Sequence, residues 1–472
     1  MTRGFRRVLI ANRGEIAARV IRTCARLGIE TVLAASDADL NSVPARLAGR
    51  VIRIGPAPAS ESYLNVDAIV GAALAVRADA VHPGYGFLSE SPLLARALAA
   101  AGVAFIGPRP ETLAVTGDKL AAREQAATAG IPVLPGGRAD ESTARDVAAR
   151  VGYPVLVKAV GGGGGRGLRV VGGPKKLALS LSLATAEAYA AFGDPRLYIE
   201  RYVAPARHVE VQILGDGQQV VHLGDRDCSV QRRYQKLIEE APAPGLPEPL
   251  REELRRAAVA LGRHLRYRGA GTVEFLVDVT RGTFYFLEVN ARIQVEHPVT
   301  EAVTGCDLVA EQLWIAEGRP PRLSQNDIAI RGHAIEVRVN AEDRDHGFLP
   351  SPGTISGAAF PAGPGIRIDS YVQPGSAVPP FYDSLVAKVI VHGADREEAR
   401  GRLAEALARC EISGVATILP LLRELLATAE FRRGGVDTGY LGRVLAGPGG
   451  ASGARVSTVV AAAGPETGDA DG

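Results

Sequence analysis

Strands and helices alternate at the start of the chain, and this alternation restricts the fold more than any other feature. Residues 8–11 are apolar, residues 15–27 are amphipathic with a helical period, and residues 31–35 form a second apolar run. Two strands joined by a helix in this way open a doubly wound sheet. Because the first turn lacks a GxGxxG sequence, a nicotinamide dinucleotide site is disfavoured here. We predict an N-terminal Rossmann-like α/β domain.

The pattern changes after this first domain. A helix is predicted for residues 118–129, and strands of alternating polarity for residues 197–203 and 208–214, which is α+β character. A third block of strands begins with residues 333–340. Near the C-terminus, small residues and proline predominate without periodicity, as in a disordered tail. The predicted domains are residues 1–115, 116–330 and 331–446, followed by the tail 447–472.

Charge and cysteine content exclude several classes of protein. The 54 lysines and arginines nearly balance the 52 aspartates and glutamates, so no overall field favours nucleic acid or an anionic membrane. No apolar stretch approaches the roughly 20 residues that a membrane-spanning helix needs. The four cysteines form no CxxC pair, which disfavours a disulfide framework and a zinc site. We predict a cytoplasmic protein that binds neither nucleic acid nor membrane.

Lysine is rare in this chain, and its rarity singles out particular positions. Only six of the 54 basic residues are lysine, so arginine has replaced lysine nearly everywhere. The remaining lysines are expected where a compact ammonium cannot be exchanged for a planar guanidinium. These candidate positions are Lys119, Lys158, Lys175, Lys176, Lys236 and Lys388.

A run of glycines follows a predicted strand. The strand ends in Lys158, and five consecutive glycines occupy residues 161–165. Main-chain N–H groups of such a loop close over phosphate oxygens, with the ammonium as a nearby point charge. The alternative is a flexible linker, but linkers are usually mixed with serine or proline and are not anchored to an apolar strand. A phosphate-covering flap that differs from a P-loop is therefore favoured.

Two predicted strands, residues 271–278 and 283–290, carry acidic side chains among apolar ones. Glu274 lies on the first strand, and Glu288 and Asn290 share one face of the second. Two carboxylates and an amide oxygen suit Mg²⁺, which leaves room for substrate phosphates. Ion pairs between these carboxylates and arginine are the alternative, and the pattern alone does not decide between the two.

The segment after these strands alternates again. If it is extended, Arg292, Gln294 and Glu296 lie on one side, where they form a cradle for a small anion with a carboxylate beside it to accept a proton. An exposed strand edge with an inconsequential ion pair is the alternative. In the third block, Arg338 alternates with apolar residues, either as an oxyanion stabiliser or as part of a core ion pair.

Six short motifs are recognisable as a set. They are VLIANRGEIA at 8–17, HPGYGFLSE at 82–90, the five-glycine run, RDCSVQRR at 226–233, EEAP at 239–242 and RIQVEHP at 292–298. Together they resemble the biotin carboxylases of the ATP-grasp superfamily. The resemblance implies a biotin carboxylase N-terminal domain, a central ATP-grasp domain with a mobile lid at about residues 131–203, and a biotin carboxylase C-terminal domain.

The resemblance implies roles at the nucleotide for three sets of residues. The ATP phosphates are contacted by Lys119 and Lys158 and covered by the lid glycines Gly163, Gly164, Gly165 and Gly167. The adenine and ribose end is served by Glu200, His208 and Gln231. The ligands of the divalent metal, Mg²⁺ or Mn²⁺, are Glu274, Glu288 and Asn290.

Further residues handle bicarbonate and biotin in this family. The implied bicarbonate ligands are Lys236, Arg292, Gln294 and the main chain of Val295. The implied roles beside them are a catalytic base for Glu296, enolate stabilisation for Arg338 and a place near the biotin pocket for Tyr85. The implied activity is the ADP-forming carboxylation of biotin by ATP and bicarbonate through carboxyphosphate.

The resemblance also implies partners. A biotin-carrying domain usually contains Ala-Met-Lys-Met, and the sole methionine here is Met1. We therefore expect biotin on a separate carrier protein. The resemblance further implies a homodimer and a separate carboxyltransferase within a complex of the acyl-CoA carboxylase type, such as the acetyl-CoA carboxylase of fatty acid biosynthesis, and it leaves the final acceptor open. Two other functions stay open: an ATP-grasp ligase that forms carbon–nitrogen bonds through an acyl or carbamoyl phosphate, and a non-catalytic nucleotide sensor.

Overall fold

The computed structural model describes residues 4–140, 142–161 and 168–447. The predicted tail from residue 448 onward lies outside these ranges. The predicted lid glycines outside them are Gly163, Gly164, Gly165 and Gly167. Among the described residues, no helix is long and apolar enough to cross a membrane.

The first part of the chain forms a parallel sheet flanked by helices. Its elements are β1 (Arg7–Ile10), α1 (Gly14–Arg26), β2 (Glu30–Ser36), α2 (Val43–Leu47), β3 (Arg50–Gly55), α3 (Val66–Ala75), β4 (Ala80–His82), α4 (Pro92–Ala100), β5 (Ala104–Phe105) and α5 (Pro110–Gly117). The strand order is β3-β2-β1-β4-β5, with all neighbours parallel. Helix α1 buries Ile16 and Val20, and Gly28 follows its end with φ +71°. The predicted doubly wound fold is confirmed.

A small antiparallel sheet follows. Its part of the chain contains α6 (Lys119–Thr128), β6 (Gly136–Ala139), α7 (Ala144–Val151), β7 (Val155–Ala159), β8 (Arg169–Val171), α8 (Leu177–Phe192) and β9 (Leu197–Arg201). The strand order is β6-β9-β7-β8, and apolar residues such as Val155 and Leu181 form a separate core beneath it. The carboxylate of Asp118 accepts hydrogen bonds from the first turn of α6, which fixes where Lys119 begins the helix.

The rest of the chain builds a long sheet and the helices that cover it. In the middle of the chain these elements are β10 (Ala206–Asp216), β11 (Val220–Arg232), β12 (Gln235–Ala241), α9 (Glu248–His264), β13 (Arg268–Asp278), β14 (Thr283–Asn290), α10 (His297–Thr304) and α11 (Leu308–Ala316). In the last third they are β15 (His333–Asn340), β16 (Glu342–Asp343), β17 (Leu349–Pro350), β18 (Gly353–Thr354), β19 (Gly357–Ala359), β20 (Ile366–Ser370), β21 (Ala377–Val378), β22 (Leu385–Gly393), α12 (Arg396–Ala408), β23 (Glu411–Ser413), α13 (Leu419–Ala427), α14 (Ala429–Arg433) and α15 (Tyr440–Ala446).

The long sheet has eight strands in the order β14-β13-β10-β11-β12-β15-β22-β20. Strands β12 and β15 pair antiparallel, with Ile238 opposite Val337 and Ala241 opposite Ala334. The boundary predicted between residues 330 and 331 therefore falls between two strands that are hydrogen-bonded neighbours. The central and C-terminal parts of the chain share one sheet, and the candidate site lies on its face.

Helix α12 packs on this sheet through a fully buried apolar side. Leu403 and Leu407 are each 0% exposed and belong to the core that also contains Val389 of β22. The helix begins at the side chain of Asp395, which accepts a hydrogen bond from the main-chain N–H of Glu398. The C-terminal part of the sheet thus depends on this helix for its cover.

We expect Leu403→Ala to lower the free energy of unfolding by about 2–5 kcal/mol, because the substitution leaves a cavity in a closely packed core. Leu349→Ala is the matched control, since Leu349 is 63% exposed, and it should change stability by less than about 0.5 kcal/mol. Urea denaturation followed by circular dichroism measures both variants. Equal midpoints for the two variants would contradict this packing.

Candidate active site

Ionisable side chains form a row across four strands of the long sheet. His208 and Glu210 alternate with buried valines along β10 and so share one face. Glu210 stands opposite Arg226 of β11 on one side and opposite Glu274 of β13 on the other. Glu274 in turn stands opposite Glu288 of β14. The strand register therefore places three carboxylates and a guanidinium side by side.

Arg226 anchors one end of this row. The side chain is 0% exposed, and its five N–H groups donate five hydrogen bonds. The bond to Glu210 is 2.5 Å long and the bond to Gln294 is 2.7 Å long. The other three acceptors are Gln212, Thr272 and Thr300. Because every donor is used, Arg226 fixes the orientation of the acidic and amide groups around it.

Lys236 of β12 gathers three carboxylates around one ammonium. Its Nζ lies 2.6 Å from Glu210, 2.8 Å from Glu274 and 2.7 Å from Glu296. Burial alone would lower the pKa of this lysine, but the surrounding carboxylates outweigh burial and raise the pKa well above its ordinary value. Lys236 is therefore a cation held by acids from three different segments.

Glu296 lies between two cations. One carboxylate oxygen is 2.7 Å from Lys236, and the other accepts a hydrogen bond of 2.9 Å from Arg338. Burial alone would raise the pKa of Glu296, but the charges of Lys236 and Arg338 hold it well below its ordinary value. Arg338 also donates to Glu239 at 2.6 Å, and burial still raises the pKa of Glu239 to about 7. The structure thus shows Arg338 in buried ion pairs, one of them with the candidate base, and its role as an oxyanion stabiliser stays a prediction.

Residues 292–296 do not form the extended strand that their alternation suggested. Strand β14 ends at Asn290, and a turn at residues 295–296 leads directly into α10. Pro298 lies in the first turn of this helix, where proline favours a helix start. The alternation of polar and apolar residues here reflects a loop with buried side chains on both sides, not a strand.

The loop nevertheless delivers the predicted side chains to the row of acids. Gln294 donates to Glu274 at 2.8 Å, and Arg292 donates to Asn290 at 2.6 Å. Arg292 also donates to Glu90, at 2.9 Å, which ties the loop to the N-terminal part of the chain. The three parts of the predicted anion cradle are therefore close to the predicted metal ligands.

The predicted metal ligands lie together. The amide of Asn290 contacts Glu274 at 2.9 Å, and Glu288 is the cross-strand neighbour of Glu274. The side chain of Glu288 is 37% exposed, with Lys119 at 3.8 Å. Carboxylate and amide oxygens are ligands that a magnesium ion prefers, but here the Asn290 oxygen accepts from Arg292 and its nitrogen faces Glu274, so a bound ion would replace these contacts. The alternative named arginine as the partner of these carboxylates, but Glu274 pairs with Lys236 and His208, and Glu288 lies nearest to Lys119.

A cavity beside the acids contains both lysines predicted for the nucleotide phosphates. Lys158 of β7 pairs with Glu200 of β9 at 2.8 Å, and Lys119 of α6 faces the same space. Apolar and aromatic residues complete the wall: Leu120, Tyr198, Phe286 and Leu287. The cavity lies between the small sheet and the long sheet, and its wall combines the positive charges of two lysines and Arg123 with apolar and aromatic side chains.

His208 and Gln231 lie with the acids of the long sheet and not with Glu200. The Nε2 atom of His208 is 2.7 Å from Glu274, and Gln231 contacts its Nδ1 atom at 2.7 Å. Burial would lower the pKa of His208, but Glu274 outweighs burial and raises it. Of the three residues predicted for the adenine and ribose end, Glu200 therefore lies beside Lys158 in the cavity, and His208 and Gln231 lie beside Glu274.

Tyr85 lies in the loop after β4. Its hydroxyl donates to Glu15 of α1. Burial and the carboxylate of Glu15 raise the pKa of this phenol well above its ordinary value, and the charge of Arg338 opposes them. Val295, whose main chain was predicted to bind bicarbonate, accepts a hydrogen bond from Lys388 at 2.7 Å through its carbonyl oxygen.

Sequence reasoning missed Glu210 and Arg226, although both are central to the row of acids. Glu210 follows His208 by two positions in an alternating strand, and this spacing places it on the same face. Arg226 opens the RDCSVQRR motif, but a linear motif does not reveal which residues of other strands an arginine contacts. The two-residue period of the strand could have identified Glu210, whereas no feature of the sequence indicated the contacts of Arg226.

Three family models match successive parts of the chain. They are "Biotin carboxylase, N-terminal domain" at residues 4–113, "Carbamoyl-phosphate synthase L chain, ATP binding domain" at residues 118–324 and "Biotin carboxylase C-terminal domain" at residues 336–443. The biotin carboxylase of Pseudomonas aeruginosa is 50% identical over 444 residues, which cover 93% of this chain and 98% of that protein. The chain belongs to the biotin carboxylase family.

Other members of the biotin carboxylase family extend this comparison. A pyruvate carboxylase subunit of Methanothermobacter thermautotrophicus is 46% identical over 93% of this chain and 89% of its own length. The biotin carboxylase domain dimer of Hydrogenobacter thermophilus 2-oxoglutarate carboxylase, solved with MgADP, ADP and bicarbonate, has a TM-score of 0.91 at 44% identity and covers 94% of this chain and 98% of that one. The predicted fold class and enzyme class are confirmed.

We expect Arg226→Met to destabilise the protein by about 3–5 kcal/mol, because removing one partner leaves buried carboxylate and amide groups unpaired. Arg256→Met is the control, since Arg256 is an exposed arginine on α9. Urea denaturation of both purified variants gives the difference in stability. If Arg226→Met unfolded at the same urea concentration as Arg256→Met, the anchoring role assigned to Arg226 would be wrong.

Proposed function

We propose that this protein carboxylates biotin with bicarbonate and ATP through carboxyphosphate, and that its catalytic base is Glu296. The supporting observation is the position of that carboxylate, 2.7 Å from Lys236 and 2.9 Å from Arg338. The two cations on either side of the base can each hold one reactant. Bicarbonate lies on the side of Lys236, and the biotin ring lies on the side of Arg338.

The nucleotide occupies the cavity between the small sheet and the long sheet. Lys119 and Lys158 bind its phosphates, and the charge of Lys158 is oriented by Glu200 at 2.8 Å. Tyr198 and Phe286 supply flat apolar surface in the same cavity. The small sheet has its own core, so it acts as the lid that closes over the nucleotide and excludes water from carboxyphosphate.

The divalent ion belongs at Glu274, Glu288 and Asn290. When bound, the ion offsets negative charge on the transferring phosphoryl group. Lys119, 3.8 Å from Glu288, brings a protein cation to the same region. The residues of this chain thus hold both the phosphates and the charge that compensates them.

Bicarbonate binds to Lys236, Arg292 and Gln294. A carboxylate with a depressed pKa is a weak base, so Glu296 must gain basicity when the substrate arrives. Bicarbonate oxygens draw part of the Lys236 charge away from Glu296, and the burial of this carboxylate then raises its pKa. Glu296 takes the bicarbonate proton, a bicarbonate oxygen attacks the γ-phosphorus, and ADP leaves.

The second step takes place beside Arg338. Carboxyphosphate breaks into CO2 and phosphate, and the phosphate accepts the proton from the ureido nitrogen of biotin. Arg338 holds the resulting enolate oxygen until the nitrogen attacks CO2 and the carbon–nitrogen bond forms. We place Tyr85, whose hydroxyl donates to Glu15, at the edge of the biotin pocket.

The partners follow from the same reaction. We propose that biotin arrives on a separate carrier protein and that a separate carboxyltransferase selects the final acceptor, with acetyl-CoA of fatty acid biosynthesis among the acyl-CoA and other acceptors that this chain could serve. A homodimer is proposed by analogy with the 2-oxoglutarate carboxylase domain dimer. The four cysteines are buried free thiols, which supports a reducing compartment, the cytoplasm.

The first test is ADP formation by the purified chain with Mg-ATP, bicarbonate and free biotin, with each substrate omitted in turn. Glu296→Gln should lower bicarbonate-dependent ADP formation by about 100-fold or more, because the base is lost while the shape is kept. Glu252→Gln, at an exposed position of α9, is the control and should retain the wild-type rate. Unchanged turnover by Glu296→Gln, or stimulation by amines in place of bicarbonate, would refute the proposal.

Arg338→Met should change the pH dependence of the first step. Losing this cation removes part of what holds the Glu296 pKa down, and burial then raises that pKa. Because Glu296 must be ionised to act as a base, activity is lost below its pKa, and the acidic limb moves to higher pH. Bicarbonate-dependent ADP formation without biotin measures this limb, with the exposed-pair variant Arg344→Met as control. If the acidic limb of Arg338→Met lay at the same pH as that of wild type, the assigned effect of Arg338 on the Glu296 pKa would be wrong.

A further inference from the structure

Lys388 is a buried lysine that the proposed chemistry leaves without a role. It lies on β22 and is 0% exposed. Its Nζ donates to the carbonyl oxygen of Val295 at 2.7 Å and lies 3.1 Å from Glu15 and 3.9 Å from Asp369. Burial would lower the pKa of this ammonium, but Glu15 and the other nearby acids outweigh burial and raise it. Lys388 is therefore a fully enclosed ammonium, distinct from Lys236 of the candidate site.

The carbonyl that Lys388 holds belongs to the turn that carries the base. Val295 stands between Gln294 and Glu296, and Glu296 is the residue directly before α10. A peptide unit is planar, so fixing its carbonyl oxygen also fixes the direction of the bond to the next residue. A charge-assisted hydrogen bond from an ammonium holds this oxygen more firmly than a neutral donor would. The orientation of Glu296 therefore depends on a lysine that does not touch it.

Glu15 supplies the counter-charge from another part of the molecule. It lies in the first turn of α1, is 2% exposed and accepts a hydrogen bond from the hydroxyl of Tyr85. The contacts run from Tyr85 through Glu15 and Lys388 to Val295. They join the N-terminal parallel sheet to the loop at residues 292–296, which we call the bicarbonate loop. An arginine would place a larger planar group in this enclosed space, which explains why lysine is kept in a chain so poor in it.

We propose that Lys388 and Glu15 are positioning residues that set the geometry of bicarbonate binding by holding the main chain of Val295. The inference rests on the proposed function and adds to it a residue pair that touches neither substrate. When either residue of the pair is removed, bicarbonate binds more weakly. ATP binding in the cavity of Lys119 and Lys158 is unchanged.

Arg423 is the matched control for a purely structural role. Its guanidinium also holds main-chain carbonyl oxygens, of Leu407 at 2.8 Å and of Cys410 at 2.8 Å. Both acceptors lie in the C-terminal part of the chain, and neither belongs to the candidate site. Arg423→Met therefore removes a cation that anchors the backbone, without disturbing the bicarbonate loop.

The experiment compares wild type, Lys388→Met and Arg423→Met by initial rates of ADP formation without biotin, varying bicarbonate and ATP separately. For Lys388→Met we expect the KM for bicarbonate to rise by about tenfold or more, with the KM for ATP within about twofold of wild type. For Arg423→Met we expect a lower melting temperature and an unchanged KM for bicarbonate. An unchanged KM for bicarbonate in Lys388→Met would overturn the inference.

Two further observations keep the test decisive. Glu15→Gln keeps the shape of the side chain and removes the counter-charge, and it should raise the KM for bicarbonate in the same direction. If Lys388→Met does not fold, this variant decides, and an unchanged KM in it would overturn the inference. Failure of the proposed function is distinguishable, because wild type itself would then show no bicarbonate-dependent ADP formation.

Discussion

The ammonium of Lys236 holds together the acids on which the rest of the site depends. Glu210, Glu274 and Glu296 come from two strands and a loop, and each lies within 2.8 Å of this one nitrogen. Without the cation, three buried carboxylates would repel one another in surroundings that poorly solvate charge. Under the function proposed above, the arrangement ties substrate binding to folding, since the charge that stabilises the acids is also the one proposed to bind bicarbonate.

Hydrogen bonds from other buried cations hold the strands and the loop around these acids in place. Arg226 uses all five of its N–H groups on the acids and amides around it, so the strands cannot slide without breaking those bonds. The loop that carries Glu296 is held from three sides, by Arg338, by Lys236 and through Val295 by Lys388. These contacts fix the connection between strand β14 and helix α10.

Local periodicity predicted several of the strands and helices that carry the candidate site, because burial on one face shows in the pattern of neighbouring residues. The bounds of β14 and β15 agree with the sequence prediction to the residue. The partners of Arg226 were out of reach, since Thr300 lies 74 positions away and only strand register brings the two together. At residues 292–296 the pattern was present but misleading. Polar and apolar residues alternate there as they would in a strand, although the structure has a loop and a turn. Charged contacts between elements are set by the packed structure, not by spacing.

The continuity of the eight-stranded sheet has a consequence for dividing the chain into pieces. Strands β12 and β15 are neighbours, although the family models assign them to different domains. A fragment cut between them would end in an open edge, with unpaired N–H and C=O groups and an apolar face, which is the surface that promotes aggregation. The C-terminal third thus matches a family model of its own, yet it shares one sheet with the central part of the chain.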